Sequence, residues 1–532
     1  MPLMTAPKSG ARIRMYRQGH GDCFLLAFPR EGGGKPVYML IDCGYKPGSQ
    51  ITRKGKKVDA NRIVKDIAAA TGKKIDIVVI THEHQDHVNA LGKFKDFEFA
   101  EAWFAWTEDP HDEYAQELRK RHKDQLLGLL GARRALKLAA DGNAGASDAL
   151  ERIDELLALE LGNDDDDADD ADNAILSSLN IPAVFGAASD PLKSKNKKAM
   201  SLIKKRAGNR LRFINPHEKV LSLGEAAGIR VFPLGPPRNV DLLSDEDPKG
   251  SEGFPGHGMA TSLSFFAAGA NRANGAAGRA ASVIAGKEQP EAEMPFDPTF
   301  SLPKDTALEP LKHDGFFCRN YGEGETGNPD DDFEAPAAAF WRRIDEEWLY
   351  SAETFALKLN RGINNTSLVL AIELTKTGKV LLFAGDAQLG NWKSWDDDVF
   401  VVDGKTQTAR DILGRTVVYK VGHHGSHNAT LKGRADDAYP NLGWMGRGSY
   451  EAEFTAFITA HNRWALDKAR WNHPLPSIKK ELLKKARGRV FQTDEDAPEK
   501  PDNVSQSDWD GFMNDERVKC TDLYFELTVL DD

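Results

Sequence analysis

Residues 75–87 read IDIVVITHEHQDH, a continuous apolar run of the kind a buried strand gives, ending at once in a cluster of donor groups. His82, Glu83, His84, Asp86 and His87 put three imidazoles and two carboxylates within six positions. Imidazole and carboxylate together suit zinc, manganese or iron rather than calcium or magnesium. In an extended segment the H-x-H spacing puts His82 and His84 on the same side, where both can grip one cation. Asp86 and His87 then turn the chain and can face a second cation a few Å away. The chain has only fourteen His in 532 residues, so this grouping is not the scatter of an exposed polar loop.

The rest of the chain supplies a core around that string. CFLLAF (23–28) and VYMLID (37–42), separated by the Gly-rich EGGGKP, predict a hairpin, and ANRIVKDIAAATG (60–72) predicts a helix ending on Gly72. Strand character returns at TSLVLAIEL (366–374), VLLFAGD (380–386), TVVYKVGHH (416–424), FTAFITAH (454–461) and DLYFELTVL (522–530). The pattern therefore predicts a compact α/β core from 11–100 and 360–530, interrupted by an insertion over 101–359. That insertion reads as helical at 111–161, acidic and linker-like at 162–173, and loop-rich at 236–350, with a helix around 341–359. Seven Asp crowd into 162–173, but no turn Gly and closing Glu stand in register, so the run is a solvated linker rather than a calcium loop. Residues 193–212 carry nine Lys or Arg and form the most basic stretch.

Composition bounds the function. With 70 basic and 81 acidic residues the formal net charge is −11, which excludes a protein that coats nucleic acid over its whole surface but allows a local basic groove. No apolar run approaches the eighteen or so residues of a membrane span, and the start MPLMTAPKSGARIRMYRQ has no secretory signal pattern. The expectation is a cytoplasmic protein with no membrane contact, whose four scattered Cys are reduced thiols rather than a disulfide framework, with Cys23 and Cys43 small core residues.

H-x-H-x-D-H after a strand, here His82, His84, Asp86 and His87, resembles the hallmark of the metallo-β-lactamase superfamily. RMYRQGHGDCFLL (14–26), IDCG (41–44), NNTSLVLAIEL with VLLFAGD, VGHHGSHN (421–428) and GRVFQT (488–493) resemble the hydrolase domain of the ComEC family of DNA-uptake proteins and its stand-alone relatives. The resemblance implies an α/β fold, the αβ/βα four-layer sandwich, here with a large helical and loop insertion. It implies two divalent cations, zinc ahead of manganese. His82 and His84 would hold the first, and Asp86 and His87 the second. Asp386 would bridge them, and His423 or His424 would complete the second site. The third His that many members supply to the first cation is missing, because Asn364 and Asn365 stand in its neighbourhood. Asp42 is expected to orient a ligating His, and Asn365 and Ser426 to touch substrate oxygens. His473, in WNHPLPS, is expected to face substrate as an acid or phosphate ligand, whereas His20 is expected to be structural.

Two cations so placed lower the pKa of a shared water toward 7, which points to hydrolysis of an ester-like bond, with Asp86 receiving the proton of the nucleophile. The resemblance moves the weight to a phosphodiesterase or nuclease acting on a small phosphodiester or single-stranded nucleic acid. The alternatives are a hydrolase of a small ester or lactone, and a scaffold that binds a protein partner through 101–359.

Overall fold

The computed structural model describes residues 3–139, 144–162, 194–216, 219–245, 248, 252–254, 359, 361–514 and 516–532. Its contacts divide the chain into two compact units. The first comprises Met1–Arg119, Glu155–Gly258 and Asn360–Asp532; the second comprises Lys120–Asp154 and Met259–Leu359. Among the described residues of the second unit, the Arg133 guanidinium pairs with the Asp154 carboxylate. Most of the acidic run 162–173, the helix expected at 341–359, Cys318, His217, His257 and His313 lie outside the described residues.

The first unit is built on two sheets. The strands, in chain order, are β1 (Gly10–Tyr16), β2 (Cys23–Phe28), β3 (Val37–Cys43), β4 (Thr52–Arg53), β5 (Lys56–Lys57), β6 (Lys74–Ile80), β7 (Glu98–Ala105), β8 (Leu211–Ile214), β9 (Leu221–Ser222) and β10 (Ile229–Gly235). They continue with β11 (Val369–Leu374), β12 (Lys379–Phe383), β13 (Val399–Val402), β14 (Lys405–Thr408), β15 (Thr416–Lys420), β16 (Thr455–Ile458), β17 (Val490–Gln492), β18 (Val518–Cys520) and β19 (Tyr524–Leu530). One sheet has the order β18-β19-β1-β2-β3-β6-β7-β8, and the other β17-β16-β15-β12-β11-β10-β9. The pairs β4-β5 and β13-β14 form separate hairpins.

Alternation along the strands explains the layering. Ile13, Phe24, Met39 and Val79 from the first sheet meet Leu370, Ile372, Leu381 and Phe383 from the second in one buried cluster between the sheets. The opposite face of the first sheet (Leu25, Leu40, Val78, Phe104) packs on the helices Ala60–Thr71 and Lys195–Ala207 through Ile63, Ile67, Met200 and Ile203. The outer face of the second sheet (Val369, Ala371, Leu382, Tyr419) packs on Trp392, Ile412, Ile478 and Leu482. The result is the four-layered helix–sheet–sheet–helix sandwich.

The core takes more of the chain than the sequence pattern suggests. Strands β8, β9 and β10, all inside the stretch read as an insertion, belong to the two sheets. These strands are two to seven residues long and β10 contains a Pro, so they carry little periodic signal. The end of the basic stretch lies away from the His82 string. Arg206 and Arg210 line a cleft with Lys74 and Glu98, at the amino-terminal ends of β6 and β7. The His82 string leaves the opposite end of β6, so this turn cannot flank it. Lys204 is engaged by Glu108 at 2.7 Å. Cys23 and Cys43 sit opposite one another on β2 and β3, buried, with Sγ atoms 3.3 Å apart.

Candidate metal centre

Four segments from distant parts of the chain converge where β3, β6, β12 and β15 end. The close approach at one point needs a glycine: a Cβ on Gly44 would lie 2.5 Å from His87 N. Asp42, in left-handed backbone at φ 52°, accepts from Thr81 N at 2.8 Å and Thr81 Oγ1 at 2.6 Å, joining the ends of β3 and β6. His423 and His424 both have positive φ (42° and 53°) and are followed by Gly425 at 84°. Two consecutive non-glycine residues in that region cost on the order of 1–2 kcal/mol each, and the surrounding contacts must hold them there.

The hydrogen bonds set each imidazole so that one nitrogen is tied down and the other is free. His87 Nδ1 donates to Asp42 Oδ2 at 2.8 Å, leaving Nε2 3.2 Å from Asp386 Oδ2. His424 Nδ1 donates to Thr459 Oγ1 at 3.0 Å, leaving Nε2 3.0 Å from Asp86 Oδ2 and 3.4 Å from Asp386 Oδ2. His84 Nε2 donates to Glu160 Oε1 at 2.9 Å, leaving Nδ1 3.1 Å from His82 Nε2. His82 Nδ1 in turn lies 3.1 Å from Thr81 Oγ1. These outward partners fix tautomer and ring orientation, which is how metal-binding imidazoles are ordinarily held.

Asp86, His87, Asp386 and His424, all buried, offer ligand atoms within 4.8 Å of one another. His82 and His84 turn two free nitrogens toward each other beside them, with His82 Nε2 3.9 Å from Asp386 Oδ2. A second buried group, Asp22, Asp42 and His87, shares His87 with the first. Buried His87 Nε2 and Asp86 Oδ1 have no hydrogen-bond partner, an expensive arrangement unless a cation completes it. The charges agree. Among the described residues, Asp22, Asp42, Asp86, Glu160 and Asp386 are all buried, and Lys420 pairs with Asp22 and Asp386, so with neutral imidazoles these six groups sum to four negative charges. Two divalent cations cancel them. The residues fit such ions.

Protons substitute for those cations in the ion-free chain. Burial opposes charge on His424, but Asp386 and Asp86 more than offset it and raise the pKa to about 9. Burial likewise opposes a charged His87, yet Asp386, Asp22 and Asp42 hold it well above the usual imidazole range. His423 moves the other way: burial, only partly countered by Asp386, lowers it to about 3. Burial, reinforced by His423 and His424, also keeps His473 neutral.

A family model described as the metallo-beta-lactamase superfamily matches residues 16–170 of this chain. The N-terminal region has the metallo-β-lactamase superfamily fold. No curated protein matches the chain. The matched span contains β2, β3, β6, β7 and the whole His82–His87 string.

Of the residues picked out in the sequence, His82, His84, Asp86, His87, Asp386 and His424 come together. His423 stands just outside, its Nε2 4.0 Å from Asp386 Oδ2 and 3.3 Å from Asn364 Nδ2. His473 packs its ring 5.2 Å from His423 and 5.5 Å from His20, so both imidazoles border the cluster. His20 lies 4.4 Å from His424, ring to ring. Two expectations need correction. Asn365 does not face the centre: its Nδ2 donates to the carbonyls of Leu242, Leu243 and Asp245, and its Oδ1 accepts from Asn391 N. Ser426 donates to Asn428 Oδ1 at 2.9 Å within its own turn, as a turn-forming Ser does.

Four contributors, Lys420, Asp22, Glu160 and Asn196, were not picked out. Lys420 places its Nζ 2.5 Å from Asp22 Oδ2 and 3.3 Å from Asp386 Oδ1, and Asp22 also accepts from Thr459 Oγ1. A Lys ending an otherwise apolar strand was a visible signal. Glu160 comes from the helix Ala144–Leu161, where it is buried among Leu156, Leu157, Leu159 and Leu161. Asn196 Nδ2 donates to the carbonyls of Leu159 and Glu160 and fastens that helix end. A carboxylate inside a leucine run was its signal.

Proposed function

We propose that the protein is a metal-dependent hydrolase of phosphodiesters. The observation that carries this reading is the buried set of Asp86, His87, Asp386 and His424 beside the paired nitrogens of His82 and His84. Asp86, His87, Asp386 and His424 would hold one cation, and His82, His84 and Asp386 the other, with zinc favoured by the imidazole-rich donors. Bound there, the cations supply an ionised water at neutral pH and positive charge for the oxygen that gains electron density.

The protein residues do the rest. Lys420 binds Oδ1 of Asp386 and directs Oδ2 into the centre. Asp86 receives the proton of the attacking water through Oδ2, the atom facing His424. His423 and His473, both neutral at pH 7, border the cluster and position the substrate. The ComEC-like motifs VLLFAGD and VGHHGSHN support a phosphate rather than a lactam or lactone as substrate.

The test is the metal content of the purified chain, followed by hydrolysis of a small chromogenic phosphodiester, single-stranded DNA and a lactone with zinc or manganese. Phosphodiester turnover that Asp86→Ala abolishes, with one ion per chain lost and circular dichroism unchanged, is expected. Equal activity in Asp86→Ala and wild type would remove the hydrolase reading.

A further inference from the structure

Among the imidazoles at the metal centre, only His423 has a side chain open to solvent, at 17%; those of His82, His84, His87 and His424 are at most 1% exposed. His423 therefore marks the way in. From it an aromatic edge continues outward. His473 lies 5.2 Å from His423, ring to ring, Trp471 lies 5.6 Å from His473, and Trp464 lies 6.1 Å from Trp471. Both indoles also pack on buried His20, Trp464 at 5.5 Å and Trp471 at 5.8 Å. Unlike His20, the two indoles are partly exposed.

The backbone holds these rings in place. Trp471 N donates to Ala465 O at 2.8 Å, and Asn462 Nδ2 donates to His473 O at 3.1 Å. Lys46 Nζ donates to Glu155 O at 3.1 Å and stands 5.6 Å from the Trp471 ring centre, within cation–π range. Rings fixed before a ligand arrives lose little freedom when it binds. The indole N–H groups separate this pair from other tryptophans. Buried Trp106, Trp395 and Trp444 donate from Nε1 to Pro236 O, Asn391 Oδ1 and Asp437 O. Among the described residues, Nε1 of Trp464 and of Trp471 has no such acceptor.

We propose that Trp471 and Trp464 form a subsite for a planar aromatic ring carried by the substrate, an inference that rests on the phosphodiester reading. A ring joined to the phosphate by a short flexible chain spans from the entrance at His423 past His473 to Trp471. Stacking on an indole uses its π face, and a polar substituent on the ring takes the free N–H; an alkyl group uses neither. Two indoles at one place make a single subsite beside one reacting phosphate, which fits a small arylalkyl diester.

The test uses the zinc-loaded full chain and two phosphonates with the same anionic head, propylphosphonate and phenylpropylphosphonate. Their affinities are measured by calorimetry and by inhibition of turnover of a small chromogenic phosphodiester. Wild type should bind the phenyl compound about tenfold more tightly. In Trp464→Leu/Trp471→Leu, which keeps apolar bulk but removes the ring faces, that ratio should fall to about twofold, with zinc content and propylphosphonate affinity held. Trp464→Phe/Trp471→Phe keeps the faces and should retain most of the preference. Equal binding of the two phosphonates to wild type refutes the subsite, and the phosphodiester reading survives if the chromogenic diester is turned over. A tenfold preference that persists in the Leu variant refutes the assignment to these residues. Wild type inert toward every phosphodiester refutes the reading beneath it.

Discussion

Replacing Asp42 by Asn tests the tautomer logic of the centre with almost no change in volume. Asp42 is fully buried and accepts three hydrogen bonds, from Thr81 N, Thr81 Oγ1 and His87 Nδ1, at 2.8, 2.6 and 2.8 Å. In Asp42→Asn the bond to Thr81 N survives on the amide oxygen, but the amide nitrogen now faces His87 Nδ1. Two donors cannot share that line, so His87 must carry its proton on Nε2, the atom that faces Asp386 Oδ2 at 3.2 Å. A protonated Nε2 cannot ligate. Loss of such an orienting partner weakens metal binding about 10- to 100-fold. That is about 1.4–2.7 kcal/mol, at 1.4 kcal/mol per tenfold. Competition against a chromophoric chelator at pH 7.5 gives the affinity, and ¹⁵N shifts of the ring report the tautomer. Unchanged affinity, or an unchanged His87 tautomer with weakened binding, would refute the argument.

Glu160→Gln should weaken one of two zinc ions about tenfold or more and leave the other intact, because Glu160 holds Nε2 of His84 and not of His87 or His424; sequential chelator titration would show both ions affected equally if the argument is wrong. Metal affinity should rise with pH: below about 9 the cation must displace a proton from His424, and one from His87 as well, so affinity climbs about tenfold per pH unit per displaced proton, which proton release on zinc addition at pH 7.5 measures directly. Neutralising Arg206 and Arg210 together should leave the salt dependence of oligonucleotide binding unchanged, since both line a cleft with Lys74 and Glu98 at the amino-terminal ends of β6 and β7; a flattened slope in anisotropy would contradict the placement.

The string after β6 could be read without a structure because its chemistry is local: spacing along one strand end and one turn decides that His82 and His84 share a side and that Asp86 and His87 follow. The apolar runs of the long strands were equally legible, since burial on both faces leaves a continuous signature. Short strands such as β8 and β9 were not, because two to four residues contain no period. Only the tertiary structure decided which residue of the His-His pair enters the centre. Both have the same neighbours in sequence, and it is Thr459, 35 residues away, that turns His424 inward. The same holds for Glu160 and Lys420, whose partners His84 and Asp22 lie 76 and 398 positions distant in the chain. Charge showed the sharpest division. The count of Lys and Arg could be read directly in 193–212, but the direction of the helix carried its last turn to the wrong end of the sheet. Linear density of charge is a sequence property; the field at a site depends on distance, and distance is set by the fold.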